Sequence, residues 1–316
     1  MGLKTVVLNS ERMNYDGKLD LSVLSSEVKE YASTEQDQIL ERVQGMDVVV
    51  TKEMPVDGDT IARFPDSVQL ICEAGTGYNN IDIEAARARG ITVCNIPAYS
   101  TERVAHTAIM MILNLSSSMQ IQQAMLARGD RSNFTKCMQV SHVEVNGKVL
   151  GVVGAGTIGR EVIKVAQALG MKVLAYVRTP RADEDNLKYV SLEELLKQSD
   201  YISLHCPLTP QTRHMINKET IAMMKPTAYI INTGRGALID EPALIEALKE
   251  GRIAGAGLDV QETEPPVQDN PLYDMPNVIL TPHMGWKGLE TRQRLVSILA
   301  ANIQAFDEGR PQNVVS

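Results

Sequence analysis

GKVLGVVGAGTIGREVIKVAQALGMKVLAYV, residues 147–177, decides the fold of this chain. An apolar run, Lys148–Val153, meets Gly154, Gly156 and Gly159 in G-x-G-x-x-G spacing, and an amphipathic stretch, Ile158–Leu169, follows at once. Strand, glycine turn and helix in that order make the phosphate-binding start of a βαβ unit. Gly154 permits the tight turn, Gly156 lets the backbone approach a pyrophosphate, and Gly159 lets helix and strand pack closely. The helix start at Thr157 and Ile158 then faces phosphate charge. A carboxylate for the ribose hydroxyls is expected about 20 residues further on, and that position is Val177, followed by Arg178, Thr179, Pro180 and Arg181. An acid there would repel a 2′-phosphate, whereas Arg178 or Arg181 could pair with one, so the cofactor expected is NADP or NAD, with a tilt toward NADP(H). The alternative is that both arginines are solvated loop charges.

Outward from this turn the same rhythm continues. Lys172–Val177, Tyr201–His205, Ala228–Asn232, Gly255–Leu258 and Asn277–Leu280 read as further strands, six with Lys148–Val153. Helices are expected between them at Leu192–Gln198, Lys218–Met223 and Glu241–Glu250, which makes a doubly wound sheet. Upstream, Thr5–Leu8, Asp47–Thr51, Gln69–Cys72 and Thr92–Cys94 read as buried strands, with helices at Leu19–Tyr31, Glu35–Val43 and Ile83–Arg89. Thr101–Arg128 has apolar residues at helical spacing without glycine or proline before Arg128, and predicts one long helix. The tail Leu289–Phe306 is a last amphipathic helix that should return to the first sheet. The expected architecture is α/β, with two Rossmann-like or flavodoxin-like parallel-sheet domains and an interdomain cleft. Residues 1–98 and 290–316 would form a discontinuous substrate domain, and 99–289 the dinucleotide domain.

Composition narrows the partners. With 44% hydrophobic and 22% charged residues among 316, the chain has material for sizeable cores. Its 31 basic and 39 acidic side chains give a net charge of −8, which repels phosphate backbones and anionic lipid, so neither nucleic acid nor membrane is expected as a partner. Cys72, Cys94, Cys137 and Cys206 show no zinc spacing, so no metal is expected, and they read as buried, reduced thiols of a cytoplasmic protein. The segment MGLKTVVLNSERMN turns polar too soon for a secretory signal.

In a parallel sheet the loops leaving the carboxyl ends of the strands converge on one edge. Arg235 follows Ala228–Asn232, Asp259 and Glu264 follow Gly255–Leu258, and His283 follows Asn277–Leu280. An arginine can hold a carboxylate or polarise a carbonyl, a histidine can exchange a proton with a hydroxyl, and a glutamate can orient that histidine. Beside a nicotinamide these three groups make a hydride-transfer site. His205, with Pro207-Leu208-Thr209, reads as wall of the cofactor pocket, His106 as a packing residue, and His142 and His214 belong to no constellation. Tyr78, Tyr99, Met284 and Trp286 are candidates for pocket lining or for packing.

These motifs resemble the D-isomer-specific 2-hydroxyacid dehydrogenase family over nearly the whole chain. The segments are GTGYNNID (75–82), GAGTIG (154–159), HCPLTPQT (205–212), INTGRGALID (231–240), GLDVQETEPP (257–266) and TPHMGW (281–286). The resemblance implies substrate binding by Arg235, general acid/base action by His283 and support from Glu264. It also implies that backbone N–H groups at Ala74, Gly75, Thr76 and Gly77 take the substrate carboxylate. The implied cofactor contacts are Gly154, Gly156, Thr157, Ile158, Gly159, Arg178, Thr179, His205, Cys206, Pro207, Thr212, Thr233, Asp259 and Gly285. Within the family, TGYNNID and the tryptophan of PHMGW are most similar to the glycerate dehydrogenase/hydroxypyruvate reductase branch, which implies a small 2-oxo or 2-hydroxy acid as partner. Family dimers imply a homodimer through Thr101–Arg128. The alternatives are a phosphoglycerate or other D-2-hydroxyacid specificity, against whose long form the lack of a domain after residue 316 argues, and a nucleotide-sensing corepressor-like protein.

Overall fold

The structure is a computed structural model that describes residues 2–179 and 181–316; Pro180, of the loop quoted above, lies outside the described residues. The chain forms two compact units, Met1–Ser100 with Trp286–Ser316, and Thr101–Gly285.

The first unit is built on a five-stranded sheet of β1 (Lys4–Val7), β2 (Glu27–Glu30), β3 (Val48–Thr51), β4 (Leu70–Glu73) and β5 (Thr92–Cys94), in the order β2-β1-β3-β4-β5. Every pairing is parallel, with Thr51 in register with Glu73 at the carboxyl ends of β3 and β4. β3 reads VVVT because both faces are covered: Val48, Val49 and Val50 are fully buried, each contributing roughly 1.5–3 kcal/mol by leaving water. The helix Leu289–Asp307 lies in this unit, its Leu295, Leu299 and Ile303 in one core with Val48, Val50 and Leu70. Its buried Arg292 forks onto Asp16 at 2.9 and 2.7 Å and donates to the Met13 and Lys287 carbonyls at 3.0 Å. That guanidinium holds the Asp16 carboxyl down at about 2.

The second unit carries a seven-stranded parallel sheet of β6 (Val149–Val153), β7 (Lys172–Tyr176), β8 (Leu187–Tyr189), β9 (Tyr201–Leu204), β10 (Tyr229–Asn232), β11 (Gly255–Leu258) and β12 (Val278–Leu280). Its order is β12-β11-β10-β9-β6-β7-β8, which reverses at β6/β9. A ligand edge is expected at that reversal. Helix Thr101–Ser116 covers one face, with Ala108, Met111 and Ile112 in a core with Leu150, Val152 and Ile231.

Six expectations need correction. Leu19–Tyr31 is not helical: the Asp20 carboxylate takes the Ser22 N–H and hydroxyl at 3.0 and 2.6 Å, fixing a single 3₁₀ turn at Ser22–Leu24, and Glu27–Glu30 becomes the edge strand β2. Glu35–Val43 shrinks to a 3₁₀ turn at Gln36–Gln38 and an α turn at Ile39–Arg42. Thr101–Arg128 is two helices, Thr101–Ser116 and Met119–Ala127. The hydroxyls of Ser116 and Ser117 both turn back onto the Leu113 carbonyl, and Ser118 adopts φ 48° with its hydroxyl on the Ser141 carbonyl. The second sheet has seven strands among the described residues, since the short β8, with only Leu187 buried, pairs with β7. Cys137 is exposed rather than buried, and His106 is exposed on its helix rather than packed. No helix of the described residues is long and apolar enough to cross a membrane.

Candidate active site

The glycine turn comes first, because its geometry separates what the fold needs from what a ligand needs. Gly154 has φ +99°, and a Cβ there would lie 2.7 Å from the Cys206 nitrogen and the His205 carbonyl carbon. The carboxyl ends of β6 and β9 therefore touch backbone to backbone, with the His205 N–H on the Val153 carbonyl at 2.8 Å. A Cβ on Gly159 would stand 2.0 Å from the Gly154 carbonyl oxygen. Gly156 is different: it caps the helix Thr157–Ala168, is exposed, and a Cβ there would meet nothing within 4 Å. Packing explains two of the glycines; open space beside a helix N-terminus explains the third only if something else occupies it.

Around this turn the other expected contacts fall on the same sheet edge. Arg178 and Thr179 are exposed just beyond β7, and Arg178 has no hydrogen bond or ion pair among the described residues. The acids that follow are engaged elsewhere: Glu184 pairs with Arg160 at 2.9 Å and Asp183 accepts the Tyr189 N–H at 2.8 Å. His205 shares a 2.7 Å hydrogen bond with Ser203, and burial pushes its imidazole down to about 4, which keeps it neutral. Cys206 is pushed up to about 11 by burial, so it stays a thiol. The Thr212 hydroxyl is committed to its own loop, donating to the Pro207 carbonyl at 2.7 Å. Thr233 is 8% exposed, and its hydroxyl is buried without a partner among the described residues. An open Gly156, an unpaired Thr233 hydroxyl and a free Arg178 form a donor set that fits the phosphates and hydroxyls of a dinucleotide.

The reactive groups follow along the same edge. His283 Nδ1 and Glu264 Oε2 are 2.8 Å apart, with the two side chains 21% and 37% exposed. The other Glu264 oxygen accepts the Gln261 N–H at 3.1 Å, which fixes the carboxylate from its own loop. Nε2 of His283 has no protein partner among the described residues. Arg235 is half-buried in the loop after β10, where the Asn232 amide donates to the Arg235 carbonyl at 2.9 Å. The next residue, Gly236, sits so close to the neighbouring loop that a Cβ would fall 1.9 Å from the Gln261 carbonyl oxygen. The arginine loop is thereby pressed onto the segment that carries Glu264.

Asp259 holds this arrangement together. It is 1% exposed, and its carboxylate accepts the Thr281 hydroxyl at 2.6 Å and the N–H groups of Met284 and Gly285 at 2.8 Å each. Its backbone carbonyl accepts the His283 N–H at 2.9 Å, and His283 is set at φ 48°. A residue expected at the cofactor thus acts here as the anchor of the histidine loop, Gly285 included. Sequence reasoning also missed a second imidazole–carboxylate pair, His214 with Glu262 at 2.6 Å, two residues from Glu264. Nothing in the spacing of residues 214 and 262 signals it.

In the first unit, Ala74–Gly77 follows β4. The Gly75 and Thr76 carbonyls are taken by the Ile96 N–H at 2.9 Å and the Asn95 amide at 2.7 Å. The Ala74 N–H, expected to take substrate, is instead spent on the Thr51 carbonyl at 2.7 Å, whereas among the described residues the N–H groups of Gly75, Thr76 and Gly77 donate to no protein acceptor. Tyr99 and Trp286 are core residues of this unit, and Tyr78 is exposed.

Comparison with known proteins sets this geometry among relatives. Residues 109–285 match the family model described as D-isomer specific 2-hydroxyacid dehydrogenase, NAD binding domain. A hydroxypyruvate reductase of Blautia hydrogenotrophica is 41% identical over 287 residues, covering 90% of this chain and 89% of that protein. A glycerate dehydrogenase of Methylorubrum extorquens is 42% identical over 294 residues, 92% of each. Among solved structures, a glyoxylate reductase from Paecilomyes thermophila superposes with a TM-score of 0.86 at 32% identity, covering 99% of this chain and 98% of that one.

Proposed function

The chain belongs to the D-isomer-specific 2-hydroxyacid dehydrogenases, NAD(P)-dependent oxidoreductases acting on CH–OH groups, and from that membership we propose that it reduces a small 2-oxo acid of the hydroxypyruvate or glyoxylate type to the D-2-hydroxy acid. The observation that carries this reading is the 2.8 Å His283–Glu264 pair with Nε2 left free. The names of the relatives at 41% and 42% identity support the same substrate class.

The bound nicotinamide supplies the hydride for reduction and accepts it in the reverse direction. Arg235 holds the substrate through its carboxylate or carbonyl oxygen by charge-assisted hydrogen bonds. The free N–H groups at Gly75–Gly77 take carboxylate charge. Glu264 keeps a proton of His283 on Nδ1 and fixes the ring, so the exchangeable proton resides on Nε2. From Nε2 it passes to the 2-oxygen as that oxygen gains charge, and in oxidation it returns there. Gly156, Thr157 and Ile158 hold the pyrophosphate, and Arg178 takes a 2′-phosphate, so NADPH is the favoured reductant. Met119, Leu126, Phe134 and Met138 stand exposed on the segment after Thr101–Ser116, and this apolar arm, with the Thr101–Arg128 region, forms a homodimer interface.

A panel measuring NADPH and NADH oxidation with hydroxypyruvate, glyoxylate, pyruvate and bulkier 2-oxo acids tests the proposal. Hydroxypyruvate and glyoxylate should give the highest kcat/KM, with NADPH favoured about 10-fold or more for one added charge-assisted contact. Tight nucleotide binding with no reduction of any 2-oxo acid would overturn the activity. A preference for NADH would remove only the role given to Arg178.

A further inference from the structure

At the carboxyl ends of β3 and β4 a buried cation stands beside the unpaired backbone donors of Gly75–Gly77. Lys52, the residue after β3, is 2% exposed, and the Asn9 side chain grips its backbone on both sides, donating to the Lys52 carbonyl at 2.7 Å and accepting its N–H at 2.9 Å. Its Nζ lies 2.7 Å from Glu53 Oε1 and 4.1 Å from the centre of the Trp286 ring. A Cβ built on Gly75 would stand 3.1 Å from that Nζ, so the cation borders the Gly75 backbone directly.

The hydrogen-bond account of this cluster is incomplete in one direction. An ammonium carries three donors, and Glu53 takes one of those on Lys52. Glu73, at the end of β4 and fully buried, has both oxygens in use: it accepts the Thr51 hydroxyl and the Asn80 amide at 2.8 Å and the Glu53 N–H at 3.0 Å. Trp286, 5% exposed, has an indole N–H without a partner among the described residues. Glu73 Oε1 would stand 3.1 Å from the same Gly75 Cβ, so the cation lies among two carboxylates; only Glu53 hydrogen-bonds it, and two ammonium hydrogens, the Trp286 indole N–H and the N–H groups of Gly75, Thr76 and Gly77 have no acceptor among the described residues. A buried ion pair adds little to stability by itself, and an ammonium with donors left over beside unspent backbone N–H groups can accept a further anionic partner.

We propose that Lys52 is a substrate-binding residue whose ammonium joins the N–H groups of Gly75, Thr76 and Gly77 to hold the carboxylate of the 2-oxo acid. The assignment rests on the dehydrogenase reading above and extends it to a residue outside the Arg235, Glu264 and His283 set. Because the Trp286 face and the Asn9 clamp fix the lysine in advance, little ordering is left to be done when the anion arrives.

Lys52→Met removes the charge and keeps most of the apolar stem, and Lys52→Gln keeps a neutral donor should the first variant fold poorly. In either, KM for glyoxylate and hydroxypyruvate should rise about 10- to 100-fold, the worth of one charge-assisted bond, with kcat within about threefold and the Kd for NADPH unchanged. The inhibition constant of oxamate, which bears a carboxylate, should rise by the same factor, while that of neutral pyruvamide stays within about threefold. Equal weakening of both inhibitors, or an unchanged KM, overturns the proposal. A second measurement needs no variant and no turnover. Trp286 is the one tryptophan of the chain, so oxamate should change its emission saturably and pyruvamide should not; unchanged emission with oxamate overturns the assignment. Should the unaltered protein reduce no 2-oxo acid while oxamate still alters Trp286 emission, the activity reading falls and the anion site stands.

Discussion

His283 has one ring nitrogen occupied and the other free, the asymmetry that the proposed proton transfer needs. His283→Ala should lower kcat about 10²- to 10⁴-fold, the usual worth of a general acid/base, while the Kd for NADPH stays near that of the unaltered protein. Glu264→Gln keeps an acceptor for Nδ1 without the charge, and its kcat should fall between the two; steady-state rates with a nucleotide titration check both. An alanine variant with full activity would strip His283 of this role. Arg235, Glu264 and His283 stood out in the sequence as candidates because each follows a strand end, and parallel strands deliver their loops to one edge. Asp259 was legible as a site residue but not in its task, since its three acceptor contacts come from residues 22 to 26 positions later. Lys52 gave no signal at all: a lysine after a strand reads as surface, and the Trp286 ring that stands 4.1 Å from its ammonium comes from the far end of the chain.

Among the elements, the glycine turn separates stability from binding residue by residue. Gly159→Ala drives a methyl into the Gly154 carbonyl 2.0 Å away, and should destabilise by roughly 1–3 kcal/mol as overpacking does. Gly156→Ala meets no protein atom within 4 Å, and should cost less than about 1 kcal/mol, the range of a changed N-cap. It should still weaken NADPH binding about 10-fold or more, because the methyl occupies the space left for phosphate. Thermal melts and nucleotide titrations read these outcomes, and a Gly156→Ala protein with undiminished affinity would show that the pyrophosphate does not lie there. Strands in the middle of the sheets were readable because burial on both faces demands continuous apolar runs such as Val48–Val50. The edge strands β2 and β8 were not, since Glu27–Glu30 is charged and mostly exposed and Leu187–Tyr189 is three residues long with one buried side chain. The break at Ser117–Ser118 was hidden for a different reason: apolar spacing continues across it while the serine hydroxyls compete for the helical carbonyls.

For the whole molecule, the assembly prediction concerns the apolar arm. Phe134 is 77% exposed and Leu126 40%, two apolar side chains that a partner surface would cover. Phe134→Asp combined with Leu126→Glu should shift sedimentation from dimer to monomer without unfolding either unit, whereas a monomeric unaltered protein would refute the interface. What the sequence determined by itself was the order of buried strands, the glycine turn and the candidate side chains that follow the strand ends, because periodicity and strand–turn–helix punctuation are local and need no knowledge of distant neighbours. What only the tertiary structure decided was which polar groups are spent and which are left over. Glu264 spends one oxygen on its own loop and the other on His283, Asp259 spends both on the histidine loop, while Lys52, Thr233 and the Gly75–Gly77 N–H groups keep donors unsatisfied. Much of this hydrogen-bond satisfaction is settled by contacts between residues about 20 or more positions apart, as between Glu264 and His283 or Asp259 and Gly285, and no local pattern encodes those.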